Sequence, residues 1–235
     1  MSPLSERAEF NSSSRIPRRS FLNQGAKCAA LISLVYGGFR SGCLALDDEF
    51  APLFDGKSLK GWKKSEFSGG NDVRVEDGVI IVEAGEELCG FQVEGKFPTD
   101  HYEFEVEAQR RSGLDFFCTI TFPVRDRFLS LVIGGWGGST IGLSSIDHHD
   151  ASANETTSQR QFKDKVWYRI RLRVSGETIQ AWIDNERVVN LDTTGKELSL
   201  RPGEIEISCP FGISTFRTEA AFRNLRLKRL SHPSP

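Results

Sequence analysis

Polar and apolar residues alternate along most of this chain from Val79 onward, and helical periodicity is nearly absent. A repeat of two places successive side chains on opposite faces, as in a β-strand that buries one face. Clear alternation occurs at 102–107 and 167–174, and shorter apolar runs bounded by Gly, Pro, Asp or Asn predict further strands. These runs are 79–82, 116–122 (which we expect to stop at Pro123), 129–133, 141–143, 179–183, 188–191, 205–207, 211–216 and 221–230. About twelve strands joined by short turns predict an all-β fold of two packed antiparallel sheets.

Two of the predicted strands carry opposite charges, each on one face. The residues are Glu103, Glu105 and Glu107 on the first strand and Arg169, Arg171 and Arg173 on the second. If the strands are neighbours, each cross-strand pair of opposite charges adds about 0.2–1 kcal/mol to stability. Such a face is either a solvated outer surface or a charged surface that holds sugar hydroxyls.

Composition fits a packed domain and shows an uneven distribution of charge. Hydrophobic residues make up 38% of the 235 residues, including 17 Phe and 4 Trp, which is enough for a core. The net charge of −2 gives no indication of nucleic-acid binding. Residues 1–45 hold six Lys or Arg against two acids, whereas the rest of the chain holds 24 basic and 30 acidic side chains. The basic N-terminus therefore needs its own explanation.

The N-terminal segment has the features of an export signal. The arginine pair Arg18–Arg19 precedes Phe21 and a weakly apolar stretch at 26–39, a pattern that resembles a twin-arginine signal peptide. That stretch is too short to span a bilayer stably. The alternatives are a disordered basic arm followed by a short helix, or a lipoprotein signal modified at Cys43, which Arg40 disfavours.

These features predict two parts of the chain. Residues 1–46 are predicted to be a twin-arginine-type signal peptide and disordered N-terminus, and residues 47–235 a single β-sandwich domain. The mature protein is accordingly predicted to be periplasmic or otherwise exported, without a stable membrane span.

The cysteines beyond this segment suggest no chemistry. Cys89, Cys118 and Cys209 match no zinc-binding spacing. Either one pair forms a disulfide in an oxidising compartment, or all three are buried as small hydrophobic residues.

Three segments carry a family resemblance. Residues 53–62, Leu-Phe-Asp-Gly-Lys-Ser-Leu-Lys-Gly-Trp, resemble the opening signature of the 3-keto-disaccharide hydrolase family. Residues 167–189 resemble the late hairpin of that family, and residues 222–228 resemble its closing strand. The three lie in the family's order across residues 50–230.

The resemblance implies a concanavalin-like jelly roll with a sugar bound on its concave sheet, and cleavage of 3-keto-glycosides by elimination or hydrolysis. Such chemistry requires a base for the proton at C2, a proton donor, and polar groups on the keto oxygen. Two segments, 112–117 and 209–214, depart from the family's usual motifs, so the resemblance assigns no catalytic residue. No cofactor and no metal site is predicted.

Two residues stand out from their surroundings. Asp115 interrupts an apolar run, where a carboxylate needs a partner or water. It is therefore either a catalytic base on the concave face or a side chain satisfied by backbone amides or an arginine. Trp136 lies within Gly134–Gly138 and is either a platform that stacks on a sugar ring or a plug in the core.

A polar stretch at 144–161 has no strand pattern, and long irregular loops are often functional. Asp147 and Glu155 are candidate catalytic carboxylates in this loop, and His148 is a candidate substrate contact. The adjacent histidines suit a single metal ion poorly, and a purely solvated loop is the alternative. Arg217 is a candidate for orienting a sugar hydroxyl, although a surface arginine is the commoner case.

Three functions remain open from the sequence. The first is an exported glycoside-cleaving hydrolase or lyase acting on 3-keto sugars or related carbohydrates. The second is a non-catalytic, lectin-like carbohydrate-binding module of the cell envelope. The third is a structural or interaction domain. In the first two the partner is a carbohydrate, and in none is it a nucleic acid.

Overall fold

The computed structural model describes residues 49–231, and these residues form two antiparallel β-sheets packed face to face. The predicted signal segment lies outside the described residues. In chain order the strands are β1 (Ala51–Pro52), β2 (Trp62–Lys64), β3 (Val73–Glu76), β4 (Val79–Val82), β5 (Leu88–Val93), β6 (Tyr102–Ser112), β7 (Cys118–Val124), β8 (Arg127–Gly134), β9 (Thr140–Ser144), β10 (Ser158–Gln159), β11 (Trp167–Ser175), β12 (Thr178–Ile183), β13 (Glu186–Asp192), β14 (Gly212–Phe216) and β15 (Glu219–Arg229). A short helical turn, α1, spans Gly135–Gly138, and a 3-10 helix spans Glu204–Ser208.

The two sheets differ in strand order. The eight-stranded sheet has the order β13-β12-β11-β6-β15-β4-β3, with β1 added beside β15. The seven-stranded sheet has the order β10-β9-β8-β7-β14-β5-β2. This architecture confirms the predicted jelly-roll sandwich.

The two charged strands are neighbours, which is the condition under which their opposite charges face each other. Strand β6 lies antiparallel to β11, and the register places Glu103 opposite Arg173, Glu105 opposite Arg171, and Glu107 opposite Arg169. The alternate residues of both strands, including Phe104 and Leu172, are buried in the core. The alternation in sequence therefore indicated correctly which face of each strand is buried.

Two predicted details were wrong. Strand β7 does not stop at Pro123 but continues to Val124, because Pro123 lies in the hairpin with β8, one residue before the strand ends. Residues 205–207 are not a strand but lie within the 3-10 helix at Glu204–Ser208. Three residues of alternating character fit either structure, and Pro202–Gly203 directly precede the 3-10 helix.

Aromatic side chains fill the space between the sheets. Phe211 stacks on Phe97 with ring centroids 3.9 Å apart and meets Phe104 edge to face at 4.7 Å. Trp62 packs against Phe91 at 5.2 Å. Aromatic pairs of this kind add about 0.5–1.5 kcal/mol each beyond the area they bury.

The segment that carries the family's opening signature has a structural role. The Trp62 indole N–H donates a hydrogen bond to the Leu53 carbonyl at 2.8 Å, which ties this segment to the core. The Asp55 carboxylate accepts the backbone N–H groups of Lys57 and Ser58 at 2.7 and 2.8 Å. These hydrogen bonds hold the pKa of Asp55 below its ordinary value and fix the turn.

Candidate functional site

The outward face of the seven-stranded sheet is built from small side chains. On β7 and β8 the residues that alternate with the core are Thr119, Thr121, Ser130 and Val132. One row across the sheet reads Gly90, Ser214, Thr119, Val132 and Gly142, and the next reads Gln92, Gly212, Thr121, Ser130 and Ser144. Glycines, serines and threonines dominate both rows, so the face leaves room for other groups.

Two loops cover this face on either side of β7 and β8. A Cβ atom on Gly142 would lie 2.7 Å from the Ala151 carbonyl oxygen, and one on Gly212 would lie 2.7 Å from the Ser208 carbonyl oxygen. Glycine is therefore required at both positions for the loops to pack this closely. Between the covered glycines, Thr119, Ser130 and Val132 line a recess.

This recess is a cleft of about 370 Å³. Its volume falls at the small end of the range typical of small-molecule sites. The floor is formed by Thr119, Ser130, Val132 and Ser144. The walls and mouth are formed by Glu87, Leu88, Asp115, Phe116, Trp136, Phe216 and the segment 201–205. The cleft thus combines a hydroxyl-rich floor with aromatic walls.

Trp136 is held at the cleft by an unusual turn. Gly134, Trp136 and Gly137 all have positive φ, and Trp136 has φ 47° and ψ 57°. A large side chain in this left-handed region costs on the order of 1–3 kcal/mol, which the surrounding contacts must offset. The residue is 41% exposed, and its ring lies near Arg201, whose guanidinium carbon is 5.8 Å from the ring centroid. Trp136 is therefore not a core plug.

Asp115 lines the same cleft as Trp136. One carboxylate oxygen accepts the Phe116 N–H at 2.8 Å, and the other accepts the Gly137 N–H at a weak 3.4 Å. The Asp115 backbone is fixed by the Thr218 hydroxyl. The second hydrogen bond links the carboxylate to the turn that presents Trp136, so the two side chains are positioned together.

Further charged groups surround the mouth. Glu87 and Glu204 line the cleft, and Glu204 accepts the Ser68 N–H at 3.1 Å. Arg201 also lines it and lies 3.7 Å from Asp150. Three carboxylates, including Asp115, against one arginine make the cleft acidic.

Arg217 lies beside the cleft rather than in its lining. Its guanidinium Nε donates to the Glu86 carbonyl at 2.8 Å, its terminal nitrogen is 3.8 Å from Glu87, and the group covers the Phe216 ring at 5.1 Å. It therefore contacts two lining residues without lining the cleft.

The structure brings the loop candidates Asp147, His148 and Glu155 together at another place, where they contact a neighbouring loop. Lys196 pairs with Glu155 at 2.6 Å and with Asp147 at 3.6 Å. Asp147 also accepts the Glu197 N–H at 2.8 Å, and the Glu197 carboxylate lies 3.2 Å from His148. Backbone and Lys196 hydrogen bonds keep the pKa of Asp147 below its ordinary value. None of the three lines the cleft.

The three cysteines in the described part of the chain are free thiols. Burial raises the pKa of Cys118 and Cys89, and it raises the pKa of Cys209 to about 11. Such thiols stay protonated and are poor nucleophiles at neutral pH.

Within residues 49–231 no cluster of three or more His, Cys, Asp or Glu side chains is arranged to hold a metal ion. The helices of that part are all too short or too polar to cross a membrane.

Sequence reasoning missed most of the cleft. Asp115 and Trp136 stood out because each breaks its local pattern. Thr119, Ser130 and Ser144 gave no signal, because serine and threonine on the polar face of a strand are ordinary. Their significance depends on which strands are neighbours.

Comparisons with solved structures support the fold. The chain matches a Bacillus subtilis protein of unknown function with a galectin-like fold at TM-score 0.53 and 10% identity, covering 74% of this chain and 92% of that one. It also matches a structure reported with endo-acting O-glycanases of human gut microbiota at TM-score 0.51 and 14% identity, covering 77% and 100%. A sialidase matches at TM-score 0.50 and 10% identity, over 78% of this chain and 19% of that one. At these identities the likeness establishes the fold alone.

Sequence comparison identifies the family. A search of curated protein sequences found no significant match to this chain. A family model described as the 3-keto-alpha-glucoside-1,2-lyase-like domain matches residues 49–228, nearly the whole of the two sheets. The chain therefore belongs to this family, the one whose signatures appear at residues 53–62, 167–189 and 222–228.

Proposed function

We propose that the cleft on the seven-stranded sheet binds a carbohydrate and cleaves 3-keto-glycosides by elimination. The observation that carries this proposal is that Asp115 and Trp136, which the sequence marks independently, line one cleft and are linked through the Gly137 N–H. Family membership and the family's description as a lyase-like domain for 3-keto-alpha-glucosides support the same substrate class.

The proposed reaction begins with Asp115 as the base. A keto group at C3 acidifies the hydrogen on C2, and a positioned carboxylate can remove it. The electron pair of the broken C2–H bond then forms a C1–C2 double bond while the C1–O bond to the leaving group breaks. The leaving oxygen takes a proton, and the products are an unsaturated 3-keto sugar and an alcohol. Glu87 and Glu204 are the carboxyl groups of the cleft that can supply or relay that proton.

The remaining lining fits a neutral sugar. The Trp136 ring offers an apolar face to the C–H groups of a pyranose. The hydroxyl groups of the floor can exchange hydrogen bonds with sugar hydroxyls. Because three carboxylates face one arginine, a sugar that bears a carboxylate would meet repulsion.

The test is turnover of a 3-keto-α-glucoside by the purified protein and by Asp115→Asn. This substitution keeps the shape and removes the base, so we expect at least a 100-fold loss of kcat. Asp147→Asn is the matched control, since Asp147 lies outside the cleft, and we expect its activity to stay within about twofold of the unchanged protein. Equal activity of Asp115→Asn and the unchanged protein would refute the assignment of the base.

A non-catalytic carbohydrate-binding module is the second candidate. It is favoured by the hydrogen bonds that Asp115 already receives from the Phe116 and Gly137 amides, which satisfy its oxygens without a substrate. Absence of turnover, together with sugar-dependent changes in Trp fluorescence, would select this function over the enzyme.

We further propose that the protein acts outside the cytoplasm, as a periplasmic or otherwise exported protein. The arginine pair Arg18–Arg19 and the weakly apolar segment that follows support this location. The test is fractionation of cells that express the full chain. Recovery of the protein only from the cytoplasm would contradict this location.

A further inference from the structure

Thr119 on the cleft floor carries a hydroxyl without a partner. The residue is 2% exposed and lines the cleft. Its Oγ1 forms no hydrogen bond with any residue in 49–231. The neighbouring floor hydroxyl on Ser130 is, by contrast, engaged with Thr121 at 3.0 Å.

An orphaned buried hydroxyl is costly to keep. Transfer of a hydroxyl from water to the protein interior without a hydrogen bond is unfavourable, and valine has nearly the same shape without this cost. The strand itself does not need the hydroxyl, because the backbone of Thr119 pairs with Ser214 on one side and Val132 on the other. A hydrogen bond to a bound ligand would account for the presence of this hydroxyl.

We propose that Thr119 is a positioning residue whose hydroxyl binds an oxygen of the sugar. This inference rests on the function proposed above and adds a determinant of substrate recognition to the same cleft. Because the Oγ1 atom is buried as it stands, a ligand oxygen meets the hydroxyl after a change of the χ1 rotamer, which exchanges the Oγ1 and Cγ2 positions. Binding then supplies the hydrogen bond that the free protein lacks.

The structure offers a matched control in Thr215. Its hydroxyl is equally buried and also lacks a partner. Thr215 lies on β14 opposite Cys89, which belongs to the core, and it does not line the cleft. Both threonines thus carry a buried hydroxyl without a partner, but Thr215 points to the core and Thr119 lines the cleft, so only Thr119 is placed to contact the proposed ligand.

The experiment compares Thr119→Val, Thr119→Ser and Thr215→Val in the full chain, with a methyl 3-keto-α-glucoside as the probe. Binding is measured by titration, and KM and kcat are measured where turnover occurs. We expect Thr119→Val to weaken binding about tenfold, since the sugar oxygen then loses its partner. Thr119→Ser keeps the hydroxyl and should bind within about threefold of the unchanged protein. Thr215→Val should bind the probe as the unchanged protein does.

If the Thr119 hydroxyl served only the structure, Thr119→Val would lower stability and leave binding unchanged. A positioning role predicts the reverse. Thermal unfolding should show no loss of stability in Thr119→Val, because the substitution removes an unsatisfied group and preserves the shape. Unchanged binding in Thr119→Val, or a serine variant as weak as the valine variant, would overturn the inference while leaving the proposed function intact. If the unchanged protein neither binds nor turns over the probe, the proposed function fails and this inference fails with it.

Discussion

The outward faces of the two sheets have opposite character. On the eight-stranded sheet long charged side chains pair with one another: Arg173 with Glu103 at 2.6 Å, Arg226 with Glu105 at 3.0 Å, and Arg223 with Glu107 at 2.7 Å. Aromatic rings extend this network, with Arg171 over Trp182 at 4.2 Å and Arg223 over Trp167 at 4.1 Å. The seven-stranded sheet instead carries small hydroxyl side chains and glycines beneath an open cleft.

The difference shows where to look for function on a sandwich whose faces both carry polar groups. On the charged face the guanidinium and carboxylate groups satisfy each other, so a sugar would have to displace an existing partner. On the other face the Thr119 hydroxyl has no partner among residues 49–231, and polar and aromatic groups line the cleft. The charged residues on the eight-stranded sheet form a structural network, whereas the small residues on the seven-stranded sheet line the candidate site.

The largest effect on the charged face is expected from Arg226→Ala. The Glu105 side chain is 7% exposed, and Arg226 approaches one of its oxygens with two nitrogens. Removing the arginine leaves a buried carboxylate with a weakened set of partners, which should cost about 3 kcal/mol of unfolding free energy. Urea denaturation measures the loss, and sugar binding should not change.

Arg169→Ala is the control for this prediction. Arg169 lies on the same face but is exposed, and it donates to the Asn185 side chain at 3.1 Å. Exposed pairs contribute about 0–1 kcal/mol, so its loss should be small. The double variant Arg226→Ala with Glu105→Ala should regain part of the lost stability, because the buried charge is gone. If Arg226→Ala and Arg169→Ala lost equal amounts of unfolding free energy, the proposed role of burial would be contradicted.

The fold was predictable because its signals are local or pairwise. Alternation assigned the buried faces of β6 and β11, and their opposite charges are compatible with the pairing that the structure shows. The prediction failed at 205–207, where three residues are too few to separate a strand from a 3-10 helix. It failed at Pro123 because a proline can occupy the end of a hairpin strand.

The candidate site was predictable only in part. Asp115 and Trp136 were found because each contradicts its immediate surroundings. Glu87 and Arg201 come from segments far apart in the sequence, and only the folded chain brings them to one cleft. No local pattern records such proximity.

A matched pair of tryptophan substitutions tests the contrast between the faces. Trp136→Ala removes the exposed ring from the cleft, and we expect about a tenfold loss of sugar affinity, consistent with the loss of an aromatic platform. Trp182→Ala removes the ring beneath Arg171 and Arg173 and should lower stability by about 1–2 kcal/mol, with affinity unchanged. Isothermal titration and thermal unfolding measure the two quantities. A loss of affinity in Trp182→Ala would instead place a sugar on the charged face.

The smallest effect concerns the pH dependence of the charged face. Burial would raise the pKa of Glu107, but hydrogen bonds from Asn224 and Arg223 outweigh it and hold the pKa below its ordinary value of 4.5. A carboxyl with a depressed folded-state pKa adds stability above its unfolded-state pKa, and this stability is lost as pH falls through the folded-state value.

Glu107→Gln should therefore be less stable than the unchanged protein at pH 7, and the difference should shrink once the pH falls below about 4.5. Urea midpoints at pH 7 and pH 3.5 measure it, and Glu94→Gln, at an exposed turn, should show little difference at either pH. A difference for Glu107→Gln that stays constant with pH would mean that its hydrogen-bond geometry, and not its charge, stabilises the face. The charged face of the eight-stranded sheet would then resemble the outward face of the seven-stranded sheet, because both would depend on shape and hydrogen bonds alone.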